Sequence, residues 1–500
     1  MKTSTIVASA LALPTVVGAK PYVTSDKLQE QVKLDNLVAS SQKLQDIADE
    51  NGGHRAFGST GHNATVDFIY ETLSKTGYYD VVKQPFTETY SSADGNLTVD
   101  GASVESAPLT YTPSGNATAT VVLVNNLGCT GADYPTAVEG AIALISRGEC
   151  QFSAKSTFAK AAGAVGAIVY NNEEGLVAGT LGSVSGDYAP IVGISKKDGE
   201  DLIAKLEVEG EIQATLFVDA VNEERVTYNV LAETKQGDHD NVLVLGGHSD
   251  SVPAGPGIND DGSGIVGILD VALGLTKFRV KNAVRFGFWS AEEFGLLGSY
   301  HYIKSVNSSD VELAKIRAYL NFDMIASPNY VYGIYDGDGD AFNLTGPAGS
   351  AAIEKDFEDF FTANGAPFVP SEFSGRSDYA GFIENGIPSG GLFTGAEDVK
   401  TSKEAELFGG EAGVAYDVNY HAVGDTIDNL NLEAFLLNTK SIANSVAKYA
   451  TSFDGLAPVD VSKRGWSDMH SRALNLRRSI ANAHSSGHSH SGPCGGAVSI

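Results

Sequence analysis

Cysteine is almost absent, with only Cys129, Cys150 and Cys494 in a chain of 500 residues. So few thiols exclude a small fold framed by disulfides and any cysteine-ligated metal cluster. Cys129 and Cys150 flank a compact β-rich segment and can close one disulfide, which leaves Cys494 unpaired. Basic residues are scarce as well. With 34 Lys and Arg against 62 Asp and Glu the net charge is −28, which excludes nucleic acid or an anionic membrane as partner and reads as a solvated acidic surface. Long apolar runs are missing too. The run at 6–17 is too short to cross a bilayer, and with Lys2 before it and Val17-Gly18-Ala19 after it, it reads as a signal peptide over 1–19. Five Asn-x-Ser/Thr sequons, at Asn63, Asn96, Asn116, Asn307 and Asn343, suit passage through the secretory route as candidate glycosylation sites. The expected location is extracellular, with the vacuole as the alternative.

The length exceeds what one core usually holds, so two folded domains with tails are expected. Residues 20–112 read as helix over 25–51, helix over 63–75 and strand over 81–90. At 107–116 the composition shifts to Pro, Thr, Ser and Gly. A small β-rich module is expected over 113–222, with strands at 120–124, 141–145, 167–170 and 191–194 and helices at 152–162 and 200–207. From 223 to 453 strands alternate with helices, the pattern of a mainly parallel, mixed α/β sheet covered on both faces. Residues 454–500 form a low-complexity tail that is Gly-, Ser- and His-rich over 485–496.

The chemistry gathers between 242 and 324. Short apolar runs at 242–245, 284–289 and 318–322 read as strands. Each leads into acids or an imidazole: His248 and Asp250, Glu292 and Glu293, Asp323. The Gly-flanked turn at 257–264 adds Asp260 and Asp261. Ligands of open α/β sheets collect at the carboxyl ends of strands, and carboxylates crowded there repel one another unless a cation lies between them. A metal site is the first reading. Residues i and i+2 of a strand point the same way, so Asp250 can hold one ring nitrogen of His248. Of the adjacent Glu292 and Glu293, one can reach a metal while the other takes a proton from water; alone, the pair also suits an ordinary helix start. For a second imidazole, His54, His62, His239 and His301 fall on expected surfaces or helices, and His470, His484, His488 and His490 lie near or in the tail. His421 remains, and the Tyr420 phenol beside it can serve an oxyanion.

These residues carry two resemblances. Arg147-Gly148-Glu149-Cys150-Gln151-Phe152, Lys155, the run Ala159-Lys160-Ala161-Ala162-Gly163-Ala164, Gly166 and Tyr170-Asn171-Asn172 resemble the protease-associated domain, which carries no catalytic residue in peptidases that contain it. His248, Asp260, Glu292-Glu293, Asp323 and Tyr420-His421, in that order, resemble the co-catalytic zinc aminopeptidases. The chain from its leader to about residue 453 is similar to secreted or vacuolar fungal leucine aminopeptidases of the aminopeptidase Y type. The resemblance implies two zinc ions per chain, one on His248 and Asp323, the other on Glu293 and His421, with Asp260 bridging. It implies Glu292 as general base, Asp250 as the partner of His248, a cis bond between Asp260 and Asp261, and Tyr420 steadying the tetrahedral intermediate. Ser374-Gly375-Arg376-Ser377-Asp378-Tyr379 resembles a substrate-side motif, which puts Arg376 and Asp378 toward substrate; Tyr379 stands where relatives often have His. The expected activity is release of apolar, leucine-like residues from peptides with a free N-terminus, by a monomer. A carboxypeptidase, a glutaminyl cyclase with a single zinc and a metal-free receptor-like homologue are the alternatives; the last predicts gaps in the ligand set, and none is seen.

Overall fold

The computed structural model describes residues 20–177, 179–456 and 459. The expected leader at 1–19, Cys494 and nearly all of the tail lie outside the described residues. Strand alternation explains the main sheet. In the strand Asp238–His248, Leu243 and Leu245 enter one buried cluster while Val242 and Val244 enter another, so successive side chains fill opposite faces. Asn282–Trp289 and Ile316–Phe322 flank it in parallel, and Ser389–Phe393 continues in parallel beyond Ile316–Phe322. Gly333–Tyr335 and Gln213–Thr234 pair antiparallel at the two sides. The sheet is thus mixed with a parallel centre, as the sequence predicts.

Helices cover both faces. On one side Gly262–Leu275 packs against Leu34–Glu50 and Leu432–Tyr449. Every residue of Gly262–Leu275 except Leu273 is buried, which requires close approach to its neighbours. At Gly264 a Cβ would collide with the Phe322 carbonyl oxygen, so the helix starts hard against a strand end only because that position is glycine. On the other face Tyr302 of Leu297–Val306 and Phe382 of Tyr379–Glu384 close over Trp289 and Tyr319.

Three elements differ from the sequence reading. The helix expected over 25–51 is two, Ser25–Gln29 and Leu34–Glu50, because Val32 turns into the core and Lys33 takes an extended backbone. The helix expected over 200–207 runs from Lys196 to Glu209: the Ser195 hydroxyl caps its start by accepting from the Asp198 N–H, and left-handed Gly210 ends it. The strand expected over 81–90 extends over Tyr79–Val99 and pairs antiparallel with Gln213–Thr234 along its whole length, from Tyr79 opposite Thr234 to Val99 opposite Ala214. This ribbon leaves the main sheet and enters a second, smaller one. There Ile142–Ser146, Gly166–Tyr170 and Ile191–Ile194 lie parallel between two apolar layers. Cys129 and Cys150 form a disulfide at its rim. Asn63, Asn96, Asn116 and Asn343 are exposed and Asn307 is half-buried. Among the described residues no helix is long and apolar enough to cross a membrane.

Candidate metal centre

The three central strands end side by side. Trp289 is in register with His248, and Asn321 with Gly246, so the residues just past each strand meet in one place. His248 Nε2 lies 3.1 Å from Asp260 Oδ1, 3.7 Å from Asp323 Oδ1 and 4.0 Å from Glu292 Oε2. His421 arrives from a distant loop, with Nε2 3.2 Å from Asp260 Oδ2 and 3.1 Å from Glu293 Oε2. The Asp260 carboxylate therefore stands between two imidazoles, one oxygen to each. Every one of these acids is less than a tenth exposed, and Asp260 directly precedes Asp261, the cap of Gly262–Leu275, at a helix end whose dipole favours negative charge.

Asp261 follows Asp260 through a cis bond and serves the fold. Its Oδ2 accepts the His248 N–H at 3.0 Å, and its Oδ1 accepts those of Gly264 at 2.9 Å and Met324 at 3.1 Å. Asp250 sits behind His248. Its carboxylate is 3.8 Å from Nδ1 while its own carbonyl oxygen is 3.2 Å away, and the carboxylate accepts the Glu292 N–H at 3.1 Å. Asp250 thus links the His248 strand to the Glu292 turn.

Charge follows from geometry. Burial works against a charged ring, yet Glu292, Asp260 and Asp323 outweigh it at His248 and hold that pKa well above the usual value. At His421 burial is likewise overcome by Glu293 and Asp260, and the pKa is pushed up to about 10. Asp260 feels strong burial, but the hydrogen bonds with His248 and His421 keep it well below the ordinary carboxylate range. Burial drives Glu292 well above its usual value. Acids this crowded and this buried are a cluster whose charge a bound cation would balance. Two imidazole nitrogens and the carboxylates of Asp260, Glu293 and Asp323 form the N/O donor set that zinc accepts, and ligand atoms of His248, Asp260 and Glu293 all lie within 4.8 Å of one another.

Tyr420 stacks on His421 with ring centroids 3.7 Å apart. Arg376 reaches its hydroxyl, with Nη2 at 3.4 Å. Asp378, expected on the substrate side with Arg376, is wholly buried, and burial pushes its carboxyl up to about 7. Tyr379 is buried too, its hydroxyl accepting the Gly375 N–H at 2.9 Å.

Several contacts that shape the site were not part of the sequence reading. Asp425 accepts the N–H of Asn259 at 2.8 Å and of Asp260 at 3.0 Å, tying the loop of His421 to the turn of Asp260. Ser377 donates to Asp323 at 2.5 Å. Arg55, fully buried, donates to the carbonyls of Ser249, Pro256 and Gly257 and so fixes the loop between His248 and Asp260. His62 is also fully enclosed, against the expectation of a surface or plain helical position, with Nε2 3.0 Å from Ser249 Oγ. An acid four residues past His421 was the one available signal for Asp425; the others depend on contacts across about 50 to 200 positions.

The model of peptidase family M28 matches residues 229–446, and that of the PA domain matches 117–202. The chain belongs to peptidase family M28, as a zinc-dependent aminopeptidase that hydrolyses peptide bonds and carries a PA domain. It is 58% identical over 446 residues, 88% of each chain, to a probable leucine aminopeptidase 2 of Aspergillus fumigatus. With leucine aminopeptidase 2 of Arthroderma otae the identity is 53%, covering 90% of this chain and 92% of that one. Among solved structures, an aminopeptidase from Aneurinibacillus sp. strain AM-1 superposes with a TM-score of 0.64 at 27% identity, over 88% of this chain and 97% of that one.

Proposed function

We propose that the enzyme works with two zinc ions per chain, is exported from the cell, and as a monomer releases apolar, leucine-like residues from the free N-terminus of peptides. The observation that carries the two-ion reading is the Asp260 carboxylate standing between His248 and His421, each with a further acid of its own. His248 and Asp323 would hold one ion, Glu293 and His421 the other, and Asp260 both. When bound, paired zinc supplies Lewis acidity to the scissile carbonyl and acidifies water.

The chain's own residues do the rest. Glu292, fixed through its N–H by Asp250, takes a proton from the attacking water and returns it to the leaving amine. The Tyr420 hydroxyl donates to the oxygen on which charge develops. The acidic wall attracts an α-ammonium group, repels an acidic end and offers a neutral blocked end no such attraction, which limits cleavage to the first bond. Leucine-like preference is supported by the names of the relatives. A carboxypeptidase needs a free cation for the substrate's terminal carboxylate, and the Arg376 guanidinium is already engaged by Glu397 at 2.7 Å. Export is supported by the leader-like residues 1–19 and by sequons on exposed asparagines; vacuolar delivery uses the same entry route.

Metal analysis of the purified enzyme, run beside hydrolysis of leucyl and N-acetyl-leucyl anilides, tests this. About two zinc per chain and turnover of the free amine alone are expected. Equal turnover of the blocked anilide removes the exopeptidase reading, and one zinc per active chain removes the paired site.

A further inference from the structure

The turn 374–378 touches both sides of the centre. Ser377 donates to Asp323, while its neighbour Arg376 points the other way, to Tyr420 and Glu397. Tyr379 pins this turn from beneath through the Gly375 N–H. A guanidinium has donors and no acceptor, so the contact with Tyr420 runs only from Arg376 Nη2 to the phenolic oxygen. The single phenolic hydrogen is therefore not spent on Arg376. A cation against the oxygen also strengthens that hydrogen as a donor.

We propose that Arg376, held by Glu397, is a positioning residue for the proposed reaction: it occupies the Tyr420 oxygen and leaves the hydroxyl hydrogen to the substrate carbonyl oxygen. This rests on the aminopeptidase reading and on the role of Tyr420 within it. Ring stacking on His421 fixes the plane of Tyr420, and Arg376 fixes the rotation of its hydroxyl. The plain alternative is a surface ion pair. Arg376 and Glu397 are 39% and 36% exposed, and such pairs add little to stability, so a pair with no further task could be removed without effect on turnover.

The test uses the zinc-loaded full chain and leucyl anilide. Tyr420→Phe should lower kcat on the order of 100-fold. Arg376→Met should lower it about tenfold with KM within about twofold, and Arg376→Lys should recover part of the loss. Glu397→Gln, a second route to the same defect, should fall between them and the wild type. In the Tyr420→Phe background, Arg376→Met should cost less than about twofold. Binding of an α-aminophosphonic analogue of leucine, read by calorimetry, should weaken about tenfold in Arg376→Met with zinc content unchanged. An equal loss in both backgrounds, a rise in KM alone, or full activity of Arg376→Met beside an impaired Tyr420→Phe each overturns this inference and leaves the metal centre intact. A fully active Tyr420→Phe instead removes the oxyanion role from the proposed function, and the positioning role falls with it.

Discussion

In both the main sheet and the smaller one, buried parallel strands run side by side and end together, but the residues just beyond their ends differ. In the peptidase half the strand ends open onto His248, Glu292 and Asp323, whose charges face one another. In the PA half the equivalent residues are spent on the fold. Arg147, after Ile142–Ser146, donates to the Asn171 side chain at 2.9 Å, Asn171 follows Gly166–Tyr170, and Ser195, after Ile191–Ile194, caps a helix. The same backbone frame thus carries chemistry in one place and only architecture in the other. Function lives in which side chains the strand ends present, not in the sheet.

The sharpest break in that contrast is Glu292→Gln, which should lower kcat on the order of a thousandfold while zinc content stays at about two per chain; a normal rate would take Glu292 out of the reaction. Next is Asp425→Asn, which removes one acceptor beneath Asp260 and should weaken zinc binding by roughly 10- to 100-fold in chelator competition. Unchanged affinity would make Asp425 a bystander. In the other half, replacing Cys129 and Cys150 by Ala should cost about 3 kcal/mol of stability in denaturant melts yet leave kcat/KM within about twofold; a large activity loss would show that the PA half reaches the site.

The smallest effect at neutral pH concerns His62, whose pKa is lowered by burial, with Arg55 adding to it, to about 3. The unfolded chain takes up this proton near pH 6.5 and the folded chain does not. Stability from His62 is therefore complete above about pH 6.5 and falls, by about 1.4 kcal/mol per pH unit, as pH drops toward 3. His62→Gln should flatten the pH dependence of unfolding by that slope, and parallel curves for the two proteins would refute it.

Local pattern carried much of the fold and of the candidate site into the sequence. The strands at 242–245, 284–289 and 318–322 were legible because apolar runs end abruptly in acids. His421 was reached by setting aside the other histidines. The features that stayed hidden depend on partners distant in sequence. Residues 91–99, Ser-Ser-Ala-Asp-Gly-Asn-Leu-Thr-Val, have no strand period of their own and are extended because Gln213–Thr234 pairs with them. His62 looked like a helical surface residue until Ser249 and Thr227 closed on it.

The paired ribbon has a practical consequence. Since Thr89 lies opposite Glu224, a two-residue β-turn grafted between them would join neighbouring chain ends and excise the entire PA insert in a single cut. The antiparallel geometry of the remaining hairpin suits such a splice, and the activity of the shortened chain would report what the insert contributes, together with the loss of Tyr90 from its place against Phe57 and Phe294.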